Sequence, residues 1–146
     1  MKKKTVKIKE PKATDPFYIT LIAIIYDPKE RKILIGRKES DPDIPGLTWC
    51  FPGTELCYGD NISDVLKKKV KEKTGYDIKN LGSVFSKVYP ENKKLMGVYF
   101  LCEAIKGKLK AGGHFKELKW VMPQDIEKHF TSSFHPRLRE YLLHLR

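Results

Sequence analysis

The chain reads as an α/β domain, a mixed β-sheet with helices packed on it. Two patterns and a size argument predict this. Segments 17–26, 32–36, 48–51, 83–89, 95–105 and 116–121 are rich in β-branched and aromatic residues, the side chains that fit a pleated surface. Segments 61–74, 124–130 and roughly 135–145 carry apolar residues at helical spacing instead. At 146 residues with 40% apolar composition, one domain buries a sizeable core without disulfides.

Residues 1–16 read as a basic N-terminal tail or edge strand, and 17–146 as a single domain. Thr5-Val6-Lys7-Ile8-Lys9 alternates as an edge strand would, although the segment around Pro11 fits a loose tail equally well. Trp49 and Phe51 alternate with Cys50, so at least one is expected in the core, with base stacking as the other reading; Tyr18 and Tyr89 carry the same two readings. A tight Pro52-Gly53 turn leads into a short loop that returns through Gly59-Asp60 to Asn61, an N-cap candidate.

In the helix that follows, Ile62, Val65, Leu66 and Val70 recur at three- and four-residue spacing, so one face packs on a core while Lys67, Lys68 and Lys71 point away. Asp64 falls in the first turn, where the helix dipole favours an anion, and Gly75 sits where a left-handed cap belongs. Gly112-Gly113 reads as a turn before the strand ending in Trp120-Val121. The last helix tolerates Pro136 in its first turn and gathers Leu138, Tyr141, Leu142 and Leu145 on one face, which is expected to dock on the sheet.

Residues 51 to 76, FPGTELCYGDNISDVLKKKVKEKTGY, are the most informative stretch. They resemble a degenerate form of the Nudix box of MutT-like hydrolases, a Gly-led loop and helix bearing an Arg-Glu pair and a Glu-Glu pair before a final Gly. Anchored on Gly75, the first Gly falls on Thr54 with Gly53 before it, the early Glu becomes Asp60, the Arg becomes Lys68 and the apolar position is Val70. Of the Glu the family places on this helix only Glu72 remains, the other positions being Lys69 and Lys73.

The flanks agree. Lys32-Ile33-Leu34-Ile35-Gly36-Arg37, the Trp49-x-Phe51-Pro52-Gly53 approach and Glu117-Leu118-Lys119-Trp120 are similar to the family over roughly residues 17 to 130. The resemblance implies an α/β/α sandwich and hydrolysis of a nucleoside diphosphate linked to another moiety, with Mg²⁺ or Mn²⁺ as cofactor. It also implies Glu72, Gly53 and Asp60 as metal ligands, Glu72, Glu117 and Glu55 as catalytic candidates, and Arg37, Lys69 and Lys73 as phosphate-binding candidates.

Five of these residues have a plainer reading as well. Glu72 equally suits surface ion pairs with Lys68 and Lys69, Asp60 a helix cap, Glu55 a solvated loop, Glu117 an exposed strand and Arg37 the surface.

Hydrolysing a phosphoanhydride brings water to a phosphorus ringed by negative oxygens, which is why such sites use hard cations on carboxylates. Replacing two Glu by Lys69 and Lys73 makes a negative cluster positive, so metal is repelled and phosphate attracted. The expectation is therefore a hydrolase of weak or altered metal dependence. The alternative is a catalytically silent module that binds a nucleotide or RNA.

Other catalytic classes find no support. Cys50, Cys57 and Cys102 lack zinc-ligand or redox-motif spacing, and His114, His129, His135 and His144 lack a helical metal-pair spacing. No phosphate loop, nucleophile elbow or internal repeat occurs. A net charge of +11, from 29 Lys plus Arg against 18 Asp plus Glu, predicts attraction to polyanions, including nucleotides, RNA and acidic surfaces, and singles out none of them; the resemblance implies a nucleotide or other phosphoanhydride as partner, with RNA as a second class. With no bilayer-length apolar run and no apolar stretch after Met1-Lys2-Lys3-Lys4, a cytoplasmic protein with reduced thiols and no membrane partner is expected.

Overall fold

The computed structural model describes residues 12–39, 41–44 and 46–145, so the strand or tail reading of Thr5–Lys9 lies outside the described residues. The architecture is an α/β/α sandwich on a mixed sheet. Its centre is β1 (Tyr18–Asp27), in which every residue from Leu21 to Tyr26 is buried. Such a continuous apolar run needs cover on both faces, and successive side chains divide between them. Leu21, Ala23 and Ile25 face a core with Leu66 and Val70 of α1 (Ile62–Thr74), whereas Ile22, Ile24 and Tyr26 face a core closed by Ile126, Leu138 and Leu142.

Of those three residues, Ile126 opens α2 (Ile126–His129), while Leu138 and Leu142 lie on α3 (Pro136–Leu143), so the last helix docks on the sheet as its leucine face predicts. Phe51 is buried and Trp49 half-buried against the edge of His129, which places the core member of that pair.

β1 runs parallel to β6 (Asn92–Gly107) from Tyr18↔Leu95 to Tyr26↔Glu103, and β6 pairs antiparallel with β5 (Tyr76–Tyr89) at the sheet edge. On its other side β1 is shared. Its last residues pair with β2 (Lys32–Arg37) at Tyr26↔Ile33 and Asp27↔Lys32, while Thr20, Leu21 and Ile22 pair with β4 (Gly53–Glu55). Beyond that short contact β2 pairs with β7 (Glu117–Val121) and β3 (Trp49–Cys50). This divergence of β2 from β1 opens the sheet at β4.

Several elements differ from their expectation for reasons of tertiary pairing. Gly53–Glu55, expected as turn and loop, is a strand because β1 supplies its hydrogen bonds; the Ala23 N–H donates to the Pro52 carbonyl at 2.8 Å and the Leu56 N–H to Ile19 at 2.8 Å. β5 begins at Tyr76 rather than at 83; as an edge strand it carries Lys79 and exposed Leu81, and register shifts around Asn80 and Ser83 break its alternation. The 124–130 helix is shortened to α2 preceded by a 3-10 turn at Pro123–Asp125, and α3 starts at Pro136 with the His135 ring as cap.

α1 keeps its expected signals. The Asn61 side chain accepts from the Asp64 N–H at 3.1 Å, and Gly75 takes φ 83° as its cap. Gly75 has no alternative, because a Cβ there would lie 2.0 Å from the Lys108 carbonyl oxygen. Ile62, expected on the core face, is instead 41% exposed in the first turn, and the buried stripe is Leu66, Val70 and Thr74.

Leu66→Ala is expected to destabilise the fold by about 2–5 kcal/mol, since the side chain is fully buried between α1 and the sheet. A urea midpoint within error of the unmutated protein would contradict that packing.

Candidate functional site

The opening between β1, β4 and β2 becomes a cavity of about 470 Å³. Thr20 and Ile22 of β1 and Gly53, Thr54 and Glu55 of β4 line its inner side. Lys38, Asp41 to Ile44 and Leu47, the far ends of β5 and β6, Phe130 to Phe134, and His114, Phe115 and Leu138 close the remainder. A cavity of this size suits a small phosphorylated ligand.

Lys73 enters from α1. The N–H of Gly112 donates to the Lys73 carbonyl at 3.0 Å and that of Lys110 to Thr74 at 2.9 Å, so the loop after β6 caps the open carbonyls at the end of α1. Gly112 lies so close that a Cβ would meet the Glu72 carbonyl oxygen at 2.1 Å. Held there, the half-buried Lys73 ammonium donates to the Gly53 carbonyl at 2.5 Å. Burial, and then the neighbouring Lys38 ammonium, push the Lys73 pKa down.

Lys38, just past β2, is paired with Asp41 at 2.5 Å, and the other oxygen of Asp41 accepts the Asp43 and Ile44 N–H groups at 2.8 Å each. Burial alone would raise the Asp41 pKa, but the Lys38 bond and the backbone donors outweigh it and hold the carboxyl below its ordinary value. Lys87 projects from β5 with its ammonium 4.5 Å from the Tyr89 ring centre, and burial lowers its pKa. Among the described residues neither Lys73 nor Lys87 has a carboxylate within salt-bridge distance, so both are available to an anion. Cys50 also lines the cavity, its thiol pushed up to about 11 by burial.

The structure gathers Gly53, Glu55 and Lys73 at this cavity, together with Phe51 and Tyr89, whereas Arg37, Asp60, Lys69, Glu72 and Glu117 lie apart from its lining. Glu72 points outward and pairs with Lys69 at 3.5 Å, with both side chains substantially exposed. Asp60 accepts the Cys57 N–H at 2.8 Å within its own loop, while Asn61 provides the helix cap. Glu117 and Arg37, cross-strand neighbours on β7 and β2, pair with each other at 3.4 Å.

Lys38, Asp41, Lys87 and Tyr99 carry no motif, and only their convergence from separate elements identifies them. The Arg37-Lys38 basic pair was a usable hint.

This donor set does not fit a divalent cation. The Gly53 carbonyl is already occupied by an ammonium, Glu72 and Asp60 are turned to other partners, and no group of three or more His, Cys, Asp or Glu among the described residues converges as ligands would.

The family model that matches is the NUDIX domain, over residues 16–142, and the chain belongs to that family. Solved structures share the fold at low identity. A NUDIX hydrolase from Nitrosomonas europaea superposes with a TM-score of 0.72 at 14% identity, over 88% of this chain and 72% of that one. A MutT protein from Methanosarcina mazei Go1 gives 0.66 at 17%, over 90% and 94%. An ADP-ribose pyrophosphatase from Streptococcus suis gives 0.59 at 21%, over 74% and 75%. No curated protein matches the chain in sequence. Among the described residues no helix is long and apolar enough to cross a membrane.

Because the Lys73 pKa is lowered, the folded chain binds fewer protons than the unfolded chain between that pKa and the ordinary lysine value of 10.5, so stability rises with pH through this window. Lys73→Met is expected to lose this rise, and the stability difference should shift in the unmutated protein's favour from about pH 7 to about pH 10. Urea denaturation at both pH values checks it, with parallel curves counting against the assignment.

Proposed function

We propose that this protein binds a nucleoside diphosphate linked to another moiety, holding its phosphates with ammonium groups, and that its phosphoanhydride hydrolysis is weak and little dependent on divalent metal. The carrying observation is the Lys73 ammonium on the Gly53 carbonyl inside the cavity. In the reading of the box, Gly53 is a metal-ligand position, and a fixed cation now stands against it.

Lys73 and Lys87 offer charge to phosphate oxygens without needing to break an ion pair, and Lys38 adds positive potential from its Asp41 anchor. Positioned cations of this kind stabilise charge that develops on a leaving phosphate. Glu55 lines the cavity and, among the described residues, has no ion-pair partner; in this reading it orients the attacking water. Lys69 and Arg37 extend the basic surroundings, while Glu72 and Glu117 temper them through their ion pairs. The family and the ADP-ribose pyrophosphatase of similar fold support a phosphoanhydride ligand.

A second reading has its own support, the absence among the described residues of a convergent acid cluster. It is a silent module that binds nucleotide or RNA, and it differs from the first in turnover.

Calorimetry in chelator is expected to give salt-sensitive binding of ADP-ribose, weakened about 10- to 100-fold by Lys73→Ala, the range for losing a charge-assisted contact. No affinity at low salt would overturn the proposal. Phosphate release from nucleoside triphosphates, ADP-sugars and dinucleoside polyphosphates, with and without Mg²⁺ or Mn²⁺, is expected to be slow, to change little with metal and to fall in Glu55→Gln. Release absent throughout selects the silent module, and strong metal activation lost in Glu72→Gln would restore that residue as a ligand.

A further inference from the structure

Away from its lysines part of the cavity is walled by apolar side chains such as Phe51, Leu95 and Leu138, and a pair of phenols stands among them. Tyr89 and Tyr99, 8% and 3% exposed, line it with their hydroxyls 3.1 Å apart. Both rings are fixed. Tyr99 meets Phe51 and Phe85 edge-on at 6.2 and 5.5 Å, while Tyr89 lies against Gly97, where a Cβ would come within 3.0 Å of its ring, and beneath the Lys87 ammonium.

Two phenols bonded once to each other leave one O–H and several lone pairs unused. Among the described residues no further partner for either oxygen is found, and burial pushes the Tyr99 pKa up to about 12 and that of Tyr89 higher still, so both remain neutral donors. A buried donor without an acceptor is costly, which makes the pair discriminating.

We propose that the Tyr89–Tyr99 pair is a specificity-determining element that receives a sugar hydroxyl of the ligand, so that the group beyond the phosphates is a hydroxyl-bearing sugar and not a hydrocarbon. This rests on the phosphoanhydride-binding reading above. A sugar hydroxyl both accepts and donates, matching the free O–H and the free lone pairs, and its C–H faces suit the aromatic wall of Phe51. A hydrocarbon tail would leave the phenolic donor unmet. The Lys87 ammonium over the Tyr89 ring sets a cation beside the pair, as a sugar attached to phosphate requires.

Calorimetry of the full chain in chelator with inorganic pyrophosphate, dimethylallyl diphosphate, ADP-ribose and UDP-glucose separates the two layers. At least one sugar compound is expected to bind about tenfold tighter than dimethylallyl diphosphate, and Tyr89→Phe or Tyr99→Phe to remove that advantage while pyrophosphate affinity stays within about twofold. The unchanged pyrophosphate titration also shows that the variants fold. Pyrophosphate binding with no sugar preference, or with a preference indifferent to both substitutions, overturns this proposal alone, as does equal weakening of all four probes. Failure of pyrophosphate to bind the unmutated protein overturns the phosphate-binding reading and this proposal together.

Discussion

The arrangement of the whole site depends on how the central strand shares its free edge. β1 hydrogen-bonds to β2 only at its last residues, because β2 turns away to form its longer ladder with β7. The polar edge left on Thr20 to Ile22 needs partners, and Gly53–Glu55 supplies them. Only glycine suits the first of those positions, since a Cβ on residue 53 would approach the Leu21 carbonyl oxygen to 2.5 Å. The same pairing turns the Gly53 carbonyl toward the end of α1.

What meets that carbonyl sets the electrostatic character of the cavity. Lys73 is held by its helix, by the capping loop at Gly112 and by a hydrogen bond, so its ammonium is a cation of fixed position. A bound metal ion is exchangeable and presents several coordination positions, whereas an ammonium presents a few donors and activates no water. The contrast between Lys73 and Glu72 is one of geometry: adjacent in sequence, one is turned into the cavity and the other out to solvent with Lys69. An exposed pair of that kind contributes only a few tenths of a kcal/mol, and its influence on the cavity is screened.

Much of the fold was legible. The unbroken apolar run in β1, the stripe of Leu66 and Val70 and the leucines of α3 all arise from local periodicity, and they occupy the expected faces. The caps of α1 were equally plain, as Asn61 and Gly75 act through their own backbone neighbours. Strand β4 and the first half of β5 were not, because their strand character comes from long-range pairing, and Pro52, Gly53 and Gly82 are local turn signals that this pairing overrides. The candidate site was partly legible: Gly53, Glu55 and Lys73 followed from the box, while Lys38, Asp41, Lys87 and the tyrosine pair lie on three other segments with no common spacing.

By itself the sequence determined the layered α/β class, the family resemblance and the exchange of helical carboxylates for lysines, since these depend on residue type and on spacing along one element. Only the tertiary structure decided which lysine enters the cavity, that Glu72 and Asp60 are turned to other partners and that two phenols meet beneath Lys87. The reason is that a helical period assigns a side chain to a face, whereas the depth of that face, and what stands opposite it, depend on pairings between strands far apart in sequence, such as Ile33 with Val121 and Arg37 with Glu117.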